Sequence, residues 1–164
     1  MGEEVRARDG TVYTSESAWP QAIDHTLAIY CSDPWFRKAT AEFLESLGLT
    51  QYDQVVMPGG PSVILQSSFT FISDRQRVKL LCEIHEIRRV VAVAHLNCAY
   101  YRHRFGLQDV GETRKKQHAD LMQFEVEMLR ISPGLSVELY YADVAGDRFQ
   151  FTRVGTPRAG GEVR

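Results

Sequence analysis

His95 and Cys98 stand three positions apart in the stretch VVAVAHLNCAYYR, directly after a run of apolar, β-branched residues, and Cys31 follows a similar run, HTLAIY, with Asp33 two residues on. Two thiolates and an imidazole are a donor set suited to Zn²⁺. Three such ligands leave a fourth tetrahedral position for water or substrate, as in sites that do chemistry. Each residue also has a plainer reading. A cysteine after a strand is usually a small hydrophobe, and Asp33 before Pro34 is an ordinary helix start, an N-cap followed by the residue favoured at the first helical position. The metal reading therefore rests on Cys31, His95 and Cys98 jointly, with Asp33 as a further candidate ligand.

For these residues to meet, the chain must bring two strand ends together. Strand-like and helix-like segments alternate, which predicts an α/β fold with a mostly parallel sheet. His25 to Tyr30 reads as a first strand. Phe36 to Leu47 has the apolar spacing of an amphipathic helix stopped by Gly48, and Gln54 to Met57 reads as a second strand. Ser73 is expected to cap a helix running to about Arg88, with Val78, Leu81 and Cys82 on one side. Val90 to Ala94, apolar without alternation, reads as a buried central strand. A long helix is expected over Glu112 to Leu129. Ser136 to Asp143 and Arg148 to Val154 flank a Gly146 turn and predict a hairpin with an antiparallel edge strand. With the second strand outside the first, and the third on its other side, the Cys31 and His95 ends flank the reversal of strand order where open α/β sheets hold ligands.

The chain of 164 residues is expected to form a single domain over 1–164, with a core over about 20–154 and loosely ordered tails at 1–18 and 155–164. A net charge of −2 with intermixed signs argues against a nucleic-acid or anionic-membrane surface. The absence of a long apolar run predicts a protein that does not span a membrane, and the charged MGEEVRARDG start points to the cytoplasm. Three cysteines, an odd number, argue against a disulfide framework. Cys82 reads as core. His25, His85, His103 and His118 read as solvent-facing or helix-surface residues. The turn Pro58-Gly59-Gly60-Pro61-Ser62 lacks the lysine of a nucleotide P-loop and reads as a tight turn into a helix.

Cys31-Ser32-Asp33 after one strand, the Gly59-Gly60 turn after the next, and Ala94-His95-Leu96-Asn97-Cys98-Ala99 after IRRVVAV together resemble the β-class carbonic anhydrases, whose pattern is C-x-D-x-R followed by G-H-x-x-C-G. The closing SVELYYADVAGDRFQF also looks like that family's last strand pair. The resemblance covers roughly residues 25 to 153. It implies a three-layer fold with sheet order 2-1-3-4 and an antiparallel fifth edge strand, and a homodimer or higher oligomer. It further implies zinc on Cys31, His95 and Cys98, and reversible hydration of CO₂ to bicarbonate by zinc-bound hydroxide. Asp33 would orient the attacking water, backbone N–H groups of Gly59 and Gly60 would hold substrate oxygens, and Gln21 lies near the place of a substrate-contacting glutamine.

This chain departs from the pattern at Trp35, which stands where the family has arginine, and at Ala94 and Ala99, which replace glycines. Without that arginine, Asp33 is free to become a fourth zinc ligand unless Arg37 reaches back to it. Two alternatives follow. One is a zinc hydrolase acting on a linear CO₂ analogue, carbonyl sulfide or carbon disulfide, with access reshaped by Trp35, Ala99 and Tyr100. The other is a non-enzymatic zinc-binding module with a closed four-coordinate site.

Overall fold

In the computed structural model, which describes residues 10–18, 20, 22–65 and 70–155, five strands form one sheet in the order β2-β1-β3-β4-β5. They are β1 (Thr26–Cys31), β2 (Asp53–Met57), β3 (Arg89–His95), β4 (Ser136–Ala145) and β5 (Arg148–Arg153). β1 pairs parallel with both β2 and β3, β3 pairs parallel with β4, and β4 pairs antiparallel with β5. The expected order and antiparallel edge are both present. The helices are α1 (Pro34–Ser46), α2 (Phe71–Ile84), α3 (Ala99–Phe105) and α4 (Val110–Ile131), with a 3₁₀ turn over Gly60–Ile64.

Side chains alternate across the strands, and both faces are apolar because helices cover both. Leu27, Ile29, Val90, Ala92 and Leu139 face one layer, where they meet Ile64 of the 3₁₀ turn, Val78 of α2, and Leu121, Phe124 and Met128 of α4. Ala28, Tyr30, Val91, Val93 and Tyr140 face the other, against Phe36 and Leu44 of α1. No helix among the described residues is long and apolar enough to cross a membrane.

Several boundaries differ from the sequence reading, each for a local reason. His25 does not begin the first strand; it has a left-handed backbone (φ 48°), and its ring Nδ1 pairs with the His85 carbonyl at 2.8 Å. β3 extends to His95 because Ala94 and His95 stay in register with Tyr141 and Ala142. Ser73 does not cap α2. The helix begins at Phe71 after Thr70, whose hydroxyl donates to the Asp74 carboxylate, and it ends at Ile84, ahead of Glu86 with φ 49°. The hairpin forms as expected: Ala145 pairs with Arg148, and Gly146 supplies the positive φ, 60°, of its two-residue loop. Pro61 lies in a 3₁₀ turn rather than an α-helix. Of the expected loose tails, residues 1–9 and 156–164 lie outside the described residues.

Candidate metal centre

Cys31 is the last residue of β1 and shares its side of the sheet with Leu27 and Ile29, whereas His95 ends β3 on the side of Val91 and Val93. Strands that are neighbours and parallel finish together. At that rim, beyond the last paired residues, side chains from opposite faces can turn toward one another. Cys98 follows a short turn in which Asn97 takes a left-handed backbone (φ 56°), and it caps the N-terminus of α3. The result is one cluster: ligand atoms of Cys31, His95 and Cys98 lie within 4.8 Å of one another, and they form the only such group among the described residues.

All three side chains are buried, with Cys31 at 8%, His95 at 2% and Cys98 at 1% exposure. The thiol sulfurs are 3.8 Å apart. His95 Nδ1 lies 2.9 Å from the Leu96 carbonyl oxygen, a contact in which Nδ1 donates and which fixes the ring with Nε2 turned inward. Nε2 is buried and has no hydrogen-bond partner among the described residues. An imidazole held at Nδ1, with Nε2 buried in a cluster with two sulfurs, is the arrangement a metal ligand requires. The donor set S, N, S fits Zn²⁺, and among the described residues no fourth His, Cys or carboxylate ligand joins that cluster.

The thiols are electrostatically unequal. Cys31 is drawn down to about 4, first by the hydrogen bond from Cys98, against burial, and then by His95. Cys98 moves the opposite way: its bond to Cys31 and its burial push it up, opposed by the α3 amides of Tyr101 and Tyr100. One proton is in effect shared between the two sulfurs, and it sits on Cys98.

The Gly59-Gly60 turn reaches this rim but does something the sequence did not suggest. Gly59 N–H points at Cys31 Sγ, 3.4 Å away, so this amide is engaged by a ligand sulfur rather than free for a substrate oxygen. Both glycines are required by geometry. Gly59 and Gly60 have φ 81° and 51°, and a Cβ at Gly60 would lie 2.8 Å from the Cys31 nitrogen.

Asp33 stands at the N-cap of α1, where its Oδ1 accepts from the Trp35 N–H at 2.9 Å. It is not a member of the ligand cluster. Arg37 makes no ion pair with it and is exposed; burial raises the Tyr30 phenol, and the Arg37 charge opposes that shift. Trp35 points away from the core, 79% exposed, and lines an open groove of about 730 Å³ with Phe43, Phe149 and Phe151. Gln21 lies outside the described residues. Sequence reasoning missed Phe36 as a support for the imidazole, with ring centroids 4.4 Å apart. The signal available was its place in the first turn of the helix after Cys31. It also missed His118, whose half-buried ring packs on Tyr141 instead of facing solvent.

The same architecture occurs in solved structures. The chain is similar to β-carbonic anhydrase isoform I of Trichomonas vaginalis, with a TM-score of 0.55 at 9% identity over 85% of this chain and 87% of that one. It is also similar to tetrameric β-carbonic anhydrases of Sordaria macrospora, with a TM-score of 0.53 at 13% identity over 82% of each chain. A carbonic anhydrase of Streptococcus mutans gives a TM-score of 0.50 at 12% identity, over 86% of this chain and 88% of that one. At these identities the likeness is one of fold. No protein-family model matches the chain. By sequence it is 27% identical over 97 residues to an uncharacterized protein of Rickettsia conorii, a match that covers 57% of this chain and about half, 52%, of that protein. The fold is therefore that of the β-carbonic anhydrases: a five-stranded mixed sheet with a Cys/His/Cys cluster at its carboxyl rim.

Proposed function

We propose that this chain is a zinc-dependent, carbonic anhydrase-like protein that catalyses the reversible hydration of CO₂ to bicarbonate, and works as a homodimer or higher oligomer. The observation that carries the reading is the orphaned, buried Nε2 of His95, oriented by its Nδ1 bond and set beside two thiols at ligand distance. A bound zinc ion would act there as a Lewis acid that acidifies water, less strongly with two thiolates than with three imidazoles.

The chain's own groups supply the rest. Cys31, His95 and Cys98 would hold the metal, and the Gly59 N–H donates to the Cys31 sulfur, which withdraws some of its negative charge. Asp33 has one oxygen fixed on the α1 amide, and its Oδ2 is the acceptor for a proton of the attacking water. Because Asp33 is occupied as a helix cap and lies outside the cluster, the open three-ligand site is favoured over the closed four-ligand one.

The test is protein purified without chelator, assayed for metal content and for CO₂ hydration by stopped flow. Stoichiometric zinc with hydration well above the buffer rate, lost in Cys98→Ala, is expected. Stoichiometric zinc with no hydration, but turnover of carbonyl sulfide or carbon disulfide, would replace the substrate and keep the site.

A further inference from the structure

Tyr100 places an aromatic ring beside the ligand cluster without belonging to the main core. It is the second residue of α3, two positions after Cys98, so the backbone that holds a ligand also fixes the ring. The ring is half-buried, packs against the group formed by Cys31, Cys98 and Tyr101, and meets Tyr101 edge-on at 79° with centroids 6.0 Å apart. It also covers Gly59: a Cβ there would lie 2.3 Å from Tyr100 Cδ1 and 2.6 Å from Cε1. Gly59 is the residue whose N–H donates to Cys31 Sγ. One glycine thus has the ring edge against its α-carbon and a ligand sulfur against its amide, which makes the ring a wall of the space in front of Cys31. Phe36, tilted at 36° against the His95 imidazole, closes a second side.

Resting on the metal-site reading above, we propose that Tyr100 is the specificity-determining residue of the centre. Its ring limits the width of any ligand that reaches the fourth coordination position, admitting linear and small planar molecules and turning away those that carry a ring. The ring is seated on Gly59 and on the Cys31, Cys98 and Tyr101 group, so the restriction is steric. Its effect grows with ligand width and does not depend on ligand charge.

The cobalt(II)-substituted protein, titrated with azide, acetate and benzoate and followed by its visible spectrum, reads this directly. The native chain should bind azide and acetate and bind benzoate at least about tenfold more weakly than acetate. In Tyr100→Ala, benzoate should gain about tenfold or more while azide changes by less than about threefold. Tyr100→Phe keeps the ring and should match the native chain. Tyr100→Leu still packs on Gly59 and serves if the alanine variant does not fold; there a smaller gain confined to benzoate is expected. Parallel changes for all three anions, or no gain for benzoate in either shortened variant, would overturn the assignment to Tyr100 and leave the metal site standing. Failure of the native chain to bind cobalt would instead remove the metal site, and the proposal with it.

Discussion

Two of the buried polar clusters among the described residues differ in how completely they are paired. Glu127 on α4 has a side chain only 2% exposed, and both of its carboxylate oxygens are taken. Oε2 pairs with Arg75 of α2, while Oε1 accepts from Gln123 at 3.0 Å and from Arg130 at 2.6 Å. At the sheet rim, by contrast, His95 Nε2 has no hydrogen-bond partner among the described residues and the two thiols have chiefly each other. A buried charge must be paired to persist, so the Glu127 group is complete and ties α2 to α4. The rim group is pre-arranged and unfinished. An orphaned atom by itself is not enough, since His118 Nε2 is also buried without a partner. What marks the rim is an orphan together with two further soft ligands at bonding reach.

Breaking the complete cluster should cost the most stability. Glu127→Ala strands Arg75 and should lower the unfolding free energy by about 3–5 kcal/mol in urea titrations, while metal affinity of the folded fraction stays the same. A proportional loss of metal affinity would show that the two clusters are coupled and spoil the contrast. Gly60→Ala should rank next, at about 2–4 kcal/mol, because a Cβ would strain a left-handed backbone and press on the main chain of β1. Unlike Glu127→Ala it should also weaken metal binding, since the atoms it displaces belong to Tyr30 and Cys31.

At the rim itself the balance reverses. Cys98→Ala should change the stability of the metal-free chain by about 1 kcal/mol or less, yet reduce zinc affinity by at least about a hundredfold in competition with a chromophoric chelator. The smallest effect is a slope. Because Cys31 is drawn down to about 4 while Cys98 is pushed up, the cluster carries one thiol proton over the range above that value, and zinc must displace it. At neutral pH and above, apparent affinity should therefore rise about tenfold per pH unit, with about one thiol proton released on binding, measured in buffers of different ionisation enthalpy. Release of two thiol protons near neutral pH would mean that Cys31 and Cys98 do not share one.

The contrast also explains what could be read in the chain before folding. The apolar run Val90–Ala94 ending in His95, and the similar run before Cys31, reveal buried parallel strands that finish in His95 and Cys31; the sheet order came with the resemblance to a known fold, since no local pattern says which strands are neighbours. The runs are local patterns with a strong physical period. The Glu127 cluster was invisible because Arg75 lies 52 residues away and no spacing rule joins them. The role of Gly59 was legible only in part: its type announced a turn, but the direction of its N–H toward a sulfur 28 residues earlier depends on how the turn packs on β1. The start of α2 was misread for a related reason. Ser73 has the chemistry of a cap, but the pairing of Thr70 with Asp74 sets the first turn earlier.

The most direct test of the central claim is X-ray absorption spectroscopy at the zinc edge on protein loaded with one equivalent of metal at neutral pH. The account predicts two sulfur neighbours at about 2.3 Å, one imidazole nitrogen at about 2.0 Å and one exchangeable oxygen that responds to added azide. Failure to retain zinc, or a shell with fewer than two sulfurs, would contradict the convergence of Cys31, His95 and Cys98 on a single ion.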